Sequence, residues 1–164
     1  MLEPRDRIAR RIAQAHGYDL DAELQIGGNY ASETAHGNVV YVSGQIPRVG
    51  SAVAVVGRVG SLVSLAEAQR AAEICTLRAL AVLHKAYGLE RVERVLKLNV
   101  FVQSAEDFTQ QSEVADAASN LLVNVFGEAG KPTRTSVGVY QLPKNAAVEL
   151  DIVVALYPSE NQTR

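Results

Sequence analysis

The sequence predicts an α+β domain in which two long helices cover one face of a mixed β-sheet. Apolar residues recur at three- and four-residue steps in 64–87 and 108–126, which indicates amphipathic helices. Apolar and polar residues alternate in 29–44, 95–103 and 133–156, which is typical of half-buried strands. In chain order, a short helix and two strands precede helix, strand, helix and two more strands. This order favours helices gathered on one side of a single sheet.

The composition is that of an ordinary globular domain. The 164 residues are 48% hydrophobic and 21% charged, with a net charge of −2, which gives no indication of nucleic acid or an anionic membrane as partner. No apolar run is long enough to span a membrane and the N-terminus is too charged for a secretory signal, so a cytoplasmic location is expected. The single cysteine, Cys75, excludes an intrachain disulfide and gives no metal-ligand spacing.

Residues 3–16 are predicted to form an amphipathic helix that ends at Gly17. Ile8 and Ile12 share one side, and four arginines surround the rest of the helix. The favoured interpretation is a solvated helix packed on the domain through its isoleucines. The alternative is a basic face for an acidic partner, although nearby acidic residues dilute the charge.

A β-hairpin is predicted next, with a two-residue turn at Gly37-Asn38. This turn pairs Ser32 with Ser43 and directs Val40 and Val42 to one face. The opposite, polar face would consist of Tyr30, Ser32, Ser43 and Gln45.

The longest predicted helix follows a loop, 47–62, that is expected to enclose one short strand. Ser64 and Glu67 form a capping-box pattern at the start of the helix, and Gly88 ends it. Cys75 lies on the apolar stripe, so we expect a packed, inert thiol rather than a nucleophile. The stripe consists of Leu65, Ala68, Ala72, Cys75, Ala79, Val82 and Ala86.

A buried strand and a second long helix come next. The strand spans 95–103, and Asp107 is predicted to cap a helix over 108–126. Gly127 and Gly130 would end this helix. Its inward residues are predicted to be Ala115, Ala118, Leu122 and Val125.

The last two strands are predicted to form a hairpin around the turn-rich segment Leu-Pro-Lys-Asn, 142–145. Val139 would face Val148, which matches the apolar faces of the two strands. In this register Arg134 and Glu149 share a face but lie four residue pairs apart, roughly 13 Å. A ligand, water or second subunit is therefore expected between them.

The sequence has no dinucleotide or P-loop motif, no C-x-x-C, no H-E-x-x-H and no nucleophile elbow. Its three histidines fall at a helix end, a turn and a helix surface. The remaining candidates for functional residues are Arg134, which lies on an otherwise small or apolar strand, and Glu149. Arg134 is either an ion-pair partner or a bidentate anion clamp, and the residues alone leave both open. The residues alone likewise leave open whether Glu149 is a solvated strand residue or a functional acid.

Residues 27–156 resemble the RidA/YjgF/UK114 family, formerly called the L-PSP endoribonuclease family. The resemblance is carried by GGNYASETAHGNVVYVSGQIP, by LKLNVFVQSAEDF and by PTRTSVGVYQLPKNAAVELDIVVAL. It implies a chorismate-mutase-like fold that assembles as a homotrimer with ligand clefts between subunits. We accordingly expect a family domain over 24–158, preceded by an N-terminal helical extension over 1–23.

The resemblance also implies an activity without metal or cofactor. Family members hydrolyse reactive enamine or imine intermediates, such as 2-iminobutanoate and 2-iminopropanoate, to 2-keto acids and ammonia. By position, Arg134 would bind the substrate carboxylate, Glu149 would position or activate water, and Tyr30 would complete the catalytic set. The corresponding substrate-binding residues are Ser43, Gly44, Ser112 and Ser136.

Three departures from the family pattern fall in this predicted pocket. Asn29 replaces the proline before the tyrosine, Ser112 stands where an asparagine is expected, and Ser136 replaces a common cysteine. The charged centre is intact while its surroundings differ, so the reaction class is better supported than the substrate.

Two other functions compete with the enzyme. One is a non-catalytic regulatory module that binds small carboxylates on the same trimeric scaffold; ammonia release above the spontaneous rate would distinguish the two. The other is the ribonuclease of the old family name. It is weakened by the negative net charge and by the absence of clustered lysines beside exposed aromatic residues.

Overall fold

A five-stranded mixed sheet with strand order β1-β2-β7-β5-β6 forms the centre of the computed structural model, which describes residues 3–158. Its strands are β1 (Glu33–His36), β2 (Val39–Gln45), β5 (Val92–Gln103), β6 (Thr133–Val139) and β7 (Val148–Leu156). The helices are α1 (Arg5–Ala15), α2 (Leu65–Tyr87) and α3 (Gln111–Phe126). Because α2 and α3 pack together on one face of the sheet, the predicted α+β class is confirmed.

Local sequence signals determine both ends of α2, as predicted. The backbone amide of Ser64 donates to Glu67 Oε2 at 2.8 Å and the amide of Glu67 donates to Ser64 Oγ at 3.2 Å, which completes the capping box. Gly88 ends the helix with a φ of +80°. Every residue over 74–83 is buried, because α1, α3 and the sheet surround this part of the helix. Cys75 is fully buried as expected, and burial raises the pKa of its thiol well above the usual value.

The predicted start of α3 is wrong. Asp107 does not cap the helix, which begins at Gln111 after an N-cap residue, Gln110, that makes no side-chain cap bond. The chain first closes a separate turn, in which the amide of Phe108 donates to the carbonyl of Ala105 at 3.1 Å. The end at Gly127, with a φ of +62°, and the buried stripe of the helix are as predicted.

The N-terminal helix α1 packs on both α2 and α3. Its most buried residues are Ala9 and Ala13, while the two predicted isoleucines are half-buried beside them. Three of the four arginine side chains, all but the exposed Arg7, have partners within the described chain: for example, Arg5 donates to the carbonyl of Val92 at 2.6 Å and lies 5.1 Å from the ring centre of Phe126. These contacts support the packed interpretation of this helix. The domain division at residue 23 stays a prediction.

The first predicted hairpin is confirmed, with His36 facing Val39 across the Gly37-Asn38 turn. The amide of Ser43 donates to the carbonyl of Ser32 at 2.9 Å, as the register requires. A bulge after Val42 then shifts the pairing of β2 with β7. Gln45 consequently faces the buried side, opposite Leu150, and not the polar side as predicted. The following loop contains two short paired strands instead of one, β3 (Arg48–Val49) and β4 (Ala52–Val53).

The second predicted hairpin is wrong. β6 and β7 do not pair with each other, because β5 lies between them, parallel to β6 and antiparallel to β7. Val137 therefore faces away from the helices and is 40% exposed, whereas Leu150 is fully buried. The turn itself exists as a short 3-10 segment, Pro143–Asn145. Alternation separated the two faces of β5 and of β7 as predicted, but it placed β6 beside the wrong strand.

Among the described residues, none of the helices has the length and apolar character needed to cross a membrane. The cytoplasmic location remains a prediction.

Replacement of Ser64 by alanine should lower the free energy of unfolding by about 1 kcal/mol, because the hydroxyl that accepts the hydrogen bond from the amide of Glu67 is removed. Urea unfolding followed by circular dichroism measures this. Ser61→Ala, at an exposed loop serine near the same helix, is the matched control and should leave the midpoint unchanged. Equal stability of the Ser64 variant and wild type would contradict the role of the cap.

Candidate functional site

Three of the predicted site residues, Tyr30, Gly44 and Glu149, line one pocket of about 350 Å³. It lies where the end of β2, the start of β7 and the middle of α2 come together. Pockets of this size accept small metabolites. The shared pocket makes this the candidate site.

Gly44 and Glu149 are coupled by the bulge in β2. The bulge brings the backbone of Gly44 against the side chain of Glu149, and a Cβ atom at Gly44 would collide with Glu149 Oε1. Glycine thus leaves room for the carboxylate at this point in the pocket. Among residues 3–158 the Glu149 carboxylate has no hydrogen-bond or ion-pair partner, so its oxygens remain available to a ligand or water.

The environment of Glu149 favours its protonated form. Burial raises the pKa of the Glu149 carboxyl above its usual value, and the nearby charge of Asp151 raises it further. Asp151 lies two residues along β7 on the same face and accepts a hydrogen bond from Asn99 Nδ2 at 2.8 Å. A carboxyl with a raised pKa is better matched to proton transfer near neutral pH than an ordinary glutamate.

Tyr30 lies at the exposed end of the pocket. Its side chain is 55% exposed, and its ring packs against Gly28, where an added Cβ would come within 3.1 Å of the ring. Ser43, which was expected to line the pocket, instead donates its hydroxyl to the carbonyl of Ala31 at 2.6 Å and is not part of the lining. Its role is to hold the segment that carries Tyr30.

The remaining predicted residues form a separate group on β6 and α3. Arg134 Nη1 donates to Asp116 Oδ1 at 2.7 Å and to Ser119 Oγ at 3.0 Å. Ser136 follows two residues later on the same face of β6, and Ser112 is exposed on the first turn of α3. Within one chain none of these residues lines the pocket of Glu149.

The sheet register explains this separation. Arg134 lies beside Leu98 of β5, whereas Glu149 lies beside Phe101, three residues further along. With two strand spacings between β6 and β7, the two backbones are roughly 14 Å apart. Arg134 points toward α3 and Glu149 toward the opposite face, so the prediction that the two residues share a face is wrong. The expectation that they do not pair within one chain is therefore correct, although the hairpin from which it was derived does not form.

Two pocket residues were not found by the sequence analysis. Arg78 on α2 is only 8% exposed, and Arg48 on β3 is half-buried, and both line the pocket. A signal for Arg78 was available, because it is the only charged residue in the apolar stretch 74–83 of α2. No comparable signal marks Arg48, which lies in an irregular loop.

The mixed sheet with two long helices packed on one face places the domain in the chorismate-mutase-like class of α+β folds. A sequence model described as Endoribonuclease L-PSP matches residues 21–156. The chain belongs to this family, which is the RidA/YjgF family that the sequence motifs indicate.

Similar proteins of known sequence or structure cover most of the chain. Protein TCP17 from Trypanosoma cruzi is 43% identical over 92% of this chain and 94% of its own length. A 2-iminobutanoate/2-iminopropanoate deaminase from Dermatophagoides farinae is 32% identical over 79% of this chain and 87% of its own. The crystal structure of an Agrobacterium tumefaciens protein of unknown function is 41% identical, covers 93% of this chain and 94% of its own, and has a TM-score of 0.82.

Glu149→Gln should stabilise the protein in a pH-dependent way. A carboxyl whose pKa is raised by folding favours the folded state while protonated, and this advantage is lost as the pH rises through the folded pKa. The melting temperature of the variant relative to wild type should therefore be near equal at pH 4 and increasingly higher toward pH 8. Differential scanning calorimetry across this range measures it, with the exposed Glu106→Gln as control. A constant or falling difference with rising pH would show that Glu149 is not destabilised as a carboxylate.

Proposed function

We propose that the protein hydrolyses reactive enamine or imine intermediates that carry a carboxylate, releasing ammonia and a 2-keto acid. The observation that carries this proposal is the unpartnered Glu149 carboxyl, with its raised pKa, in a pocket shared with Tyr30 and Gly44. Membership of the family and the 32% identical deaminase support it.

The reaction needs little more than water held in place. An imine carbon is electrophilic, so a water molecule bound by Glu149 adds to it while the carboxylate accepts a proton. The resulting tetrahedral carbon carries a hydroxyl and an amine. Glu149 passes the first proton to the nitrogen, which completes the amine. The hydroxyl then transfers its own proton through the same carboxylate to the amine, and ammonia leaves as the C=O bond forms. The imine and water are thus balanced by the keto acid and ammonia. Positioning the imine and the water together supplies much of the acceleration.

Arg134 fits this reaction if the pocket is completed by a second copy of the chain, and we propose the homotrimer as the active form. The face of the sheet opposite the helices carries apolar side chains, including Tyr41, which is 52% exposed, and Val137. Their burial between subunits would stabilise an assembly. Arg134 lies on β6 at the edge of the sheet, where a neighbour can approach. A substrate carboxylate would then share its guanidinium with Asp116, which is half exposed.

The test is hydrolysis of imines generated in place by an amino acid oxidase, with semicarbazide as the competing trap. Added protein should raise the rate of ammonia release above the spontaneous rate and lower the yield of trapped imine. The Glu149→Gln variant should return both to the uncatalysed values. Tight binding of 2-keto acids with no acceleration would contradict the enzyme and favour a small-carboxylate-binding module. Cleavage of RNA in place of imines would favour a nuclease.

Arg134→Gln should lower kcat/KM for imine hydrolysis by about a hundredfold, because a charged hydrogen-bond pair to the substrate carboxylate is lost. Arg134→Lys should recover little of the activity, since an ammonium cannot make two parallel bonds. Steady-state kinetics and melting temperature are measured on the same proteins, together with molar mass by light scattering.

Asp116→Asn is the matched control, because it removes the carboxylate that Arg134 contacts within the chain while keeping the guanidinium. It should retain most of the activity. If Arg134 serves only as the ion-pair partner of Asp116, the Gln and Asn variants will lose similar stability and neither will change kcat/KM. That pattern would remove Arg134 from the site.

A further inference from the structure

Two arginines face the pocket without an acidic partner among residues 3–158. Arg78 is 8% exposed, and its Nε donates to Gln45 Oε1 at 3.2 Å, while its two Nη groups have no hydrogen-bond partner among residues 3–158. The half-buried side chain of Arg48 likewise makes no hydrogen bond or salt bridge in the part of the chain that the structure describes. Both therefore direct unused donors toward the cavity that they line.

This arrangement of the two arginines is electrostatically unfavourable on its own. Burial lowers the pKa of the Arg78 guanidinium, and repulsion from the charge of Arg48 adds to that effect. A buried guanidinium that is not matched by a negative charge is costly, and a second one beside it increases the cost. An anion bound between them would remove most of this cost and satisfy the free donors.

The charges that line the pocket indicate how much negative charge a ligand carries. Among the described residues that line the pocket, three cations, Arg48, Arg78 and Lys144, face one carboxylate, Glu149. Glu149 forms no salt bridge with any of them, so its charge does not neutralise the arginines directly. In the proposed reaction Arg134 of a second subunit binds the carboxylate next to the C=N group. The arginines of the pocket then remain for a different acidic group of the same ligand.

On the basis of the proposed function, we infer that the substrate is an imine with two acidic groups, of which the one remote from the C=N bond is bound by Arg78 and Arg48. The cavity of about 350 Å³ is large enough for a short dicarboxylate. Arg78 and Arg48 would thus determine specificity, while Glu149 and Arg134 act at the reacting end.

The test compares two imines generated in place by oxidases, the dicarboxylate from glutamate and the monocarboxylate from alanine. Wild type should favour the glutamate-derived imine by about tenfold or more in kcat/KM, since a charged hydrogen bond is gained only with that substrate. Arg78→Met should lower this ratio by about tenfold to a hundredfold, and Arg78→Lys by less. Arg48→Met provides a second variant on a peripheral ribbon, in case replacement within α2 prevents folding.

Arg70→Met is the matched control, because Arg70 lies exposed on the same helix outside the pocket. It should leave the ratio unchanged. Circular dichroism and melting temperature establish that each variant is folded. A wild-type ratio near one, or a ratio that folded Arg78→Met and Arg48→Met leave unchanged, would overturn the inference while leaving imine hydrolysis intact.

A different result is expected if the proposed function is wrong and the protein does not hydrolyse imines. If neither imine is hydrolysed, calorimetry with 2-oxoglutarate and pyruvate decides between the two ideas. Preferential binding of 2-oxoglutarate that is weakened about tenfold by Arg78→Met would support the dicarboxylate site without the enzyme. Equal binding of both acids, or no binding of either, would overturn the site as well.

Discussion

The position of β5 between β6 and β7 determines the rest of the structure. This strand of 12 residues pairs antiparallel with β7 and parallel with β6, and its alternate residues supply the centre of the core. Because β5 intervenes, Arg134 and Glu149 are carried on non-adjacent strands and point to opposite faces. A site that uses both residues therefore has to extend across more than one chain. Under the proposed function, the topology of the sheet, more than any single contact, would make activity depend on assembly.

The helices and the first hairpin could be predicted because their signals are local. The capping box at Ser64, the glycines at helix ends and the two-residue turn at Gly37-Asn38 act over a few residues, and each formed as expected. The prediction of the second hairpin was wrong because alternation indicates which residues share a face but not which strand lies alongside. A parallel partner that is distant in sequence leaves no local mark on β6. The start of α3 failed for a related reason, since Asp107 has the right chemistry for a cap but lies in a separate turn.

The residues of the candidate site also divide into those that sequence motifs predicted and those that depend on the tertiary structure. Glu149, Gly44 and Tyr30 could be grouped through the family motifs, and the structure places them around one pocket. Gln45 was assigned to the wrong face because a bulge reverses the alternation, and a bulge depends on the pairing of β2 with β7. Arg78 was overlooked because charged residues on a helix are usually solvated. The structure shows that residues 74–83 of α2 are enclosed, because α1 packs on α2 in addition to α3 and the sheet.

The pocket is maintained at a cost in stability that the surrounding fold offsets. A half-buried carboxyl with a raised pKa and a nearly buried guanidinium with a lowered one are both strained by desolvation, yet they do not neutralise each other directly. Groups in that condition have most to gain from a ligand of complementary charge, since binding replaces the solvation that folding removed. The same desolvation strengthens their interaction with whatever enters the pocket. The alanine-rich packing of α2 against the sheet and α3 holds these groups at the pocket, so the stability of the close-packed core offsets their desolvation.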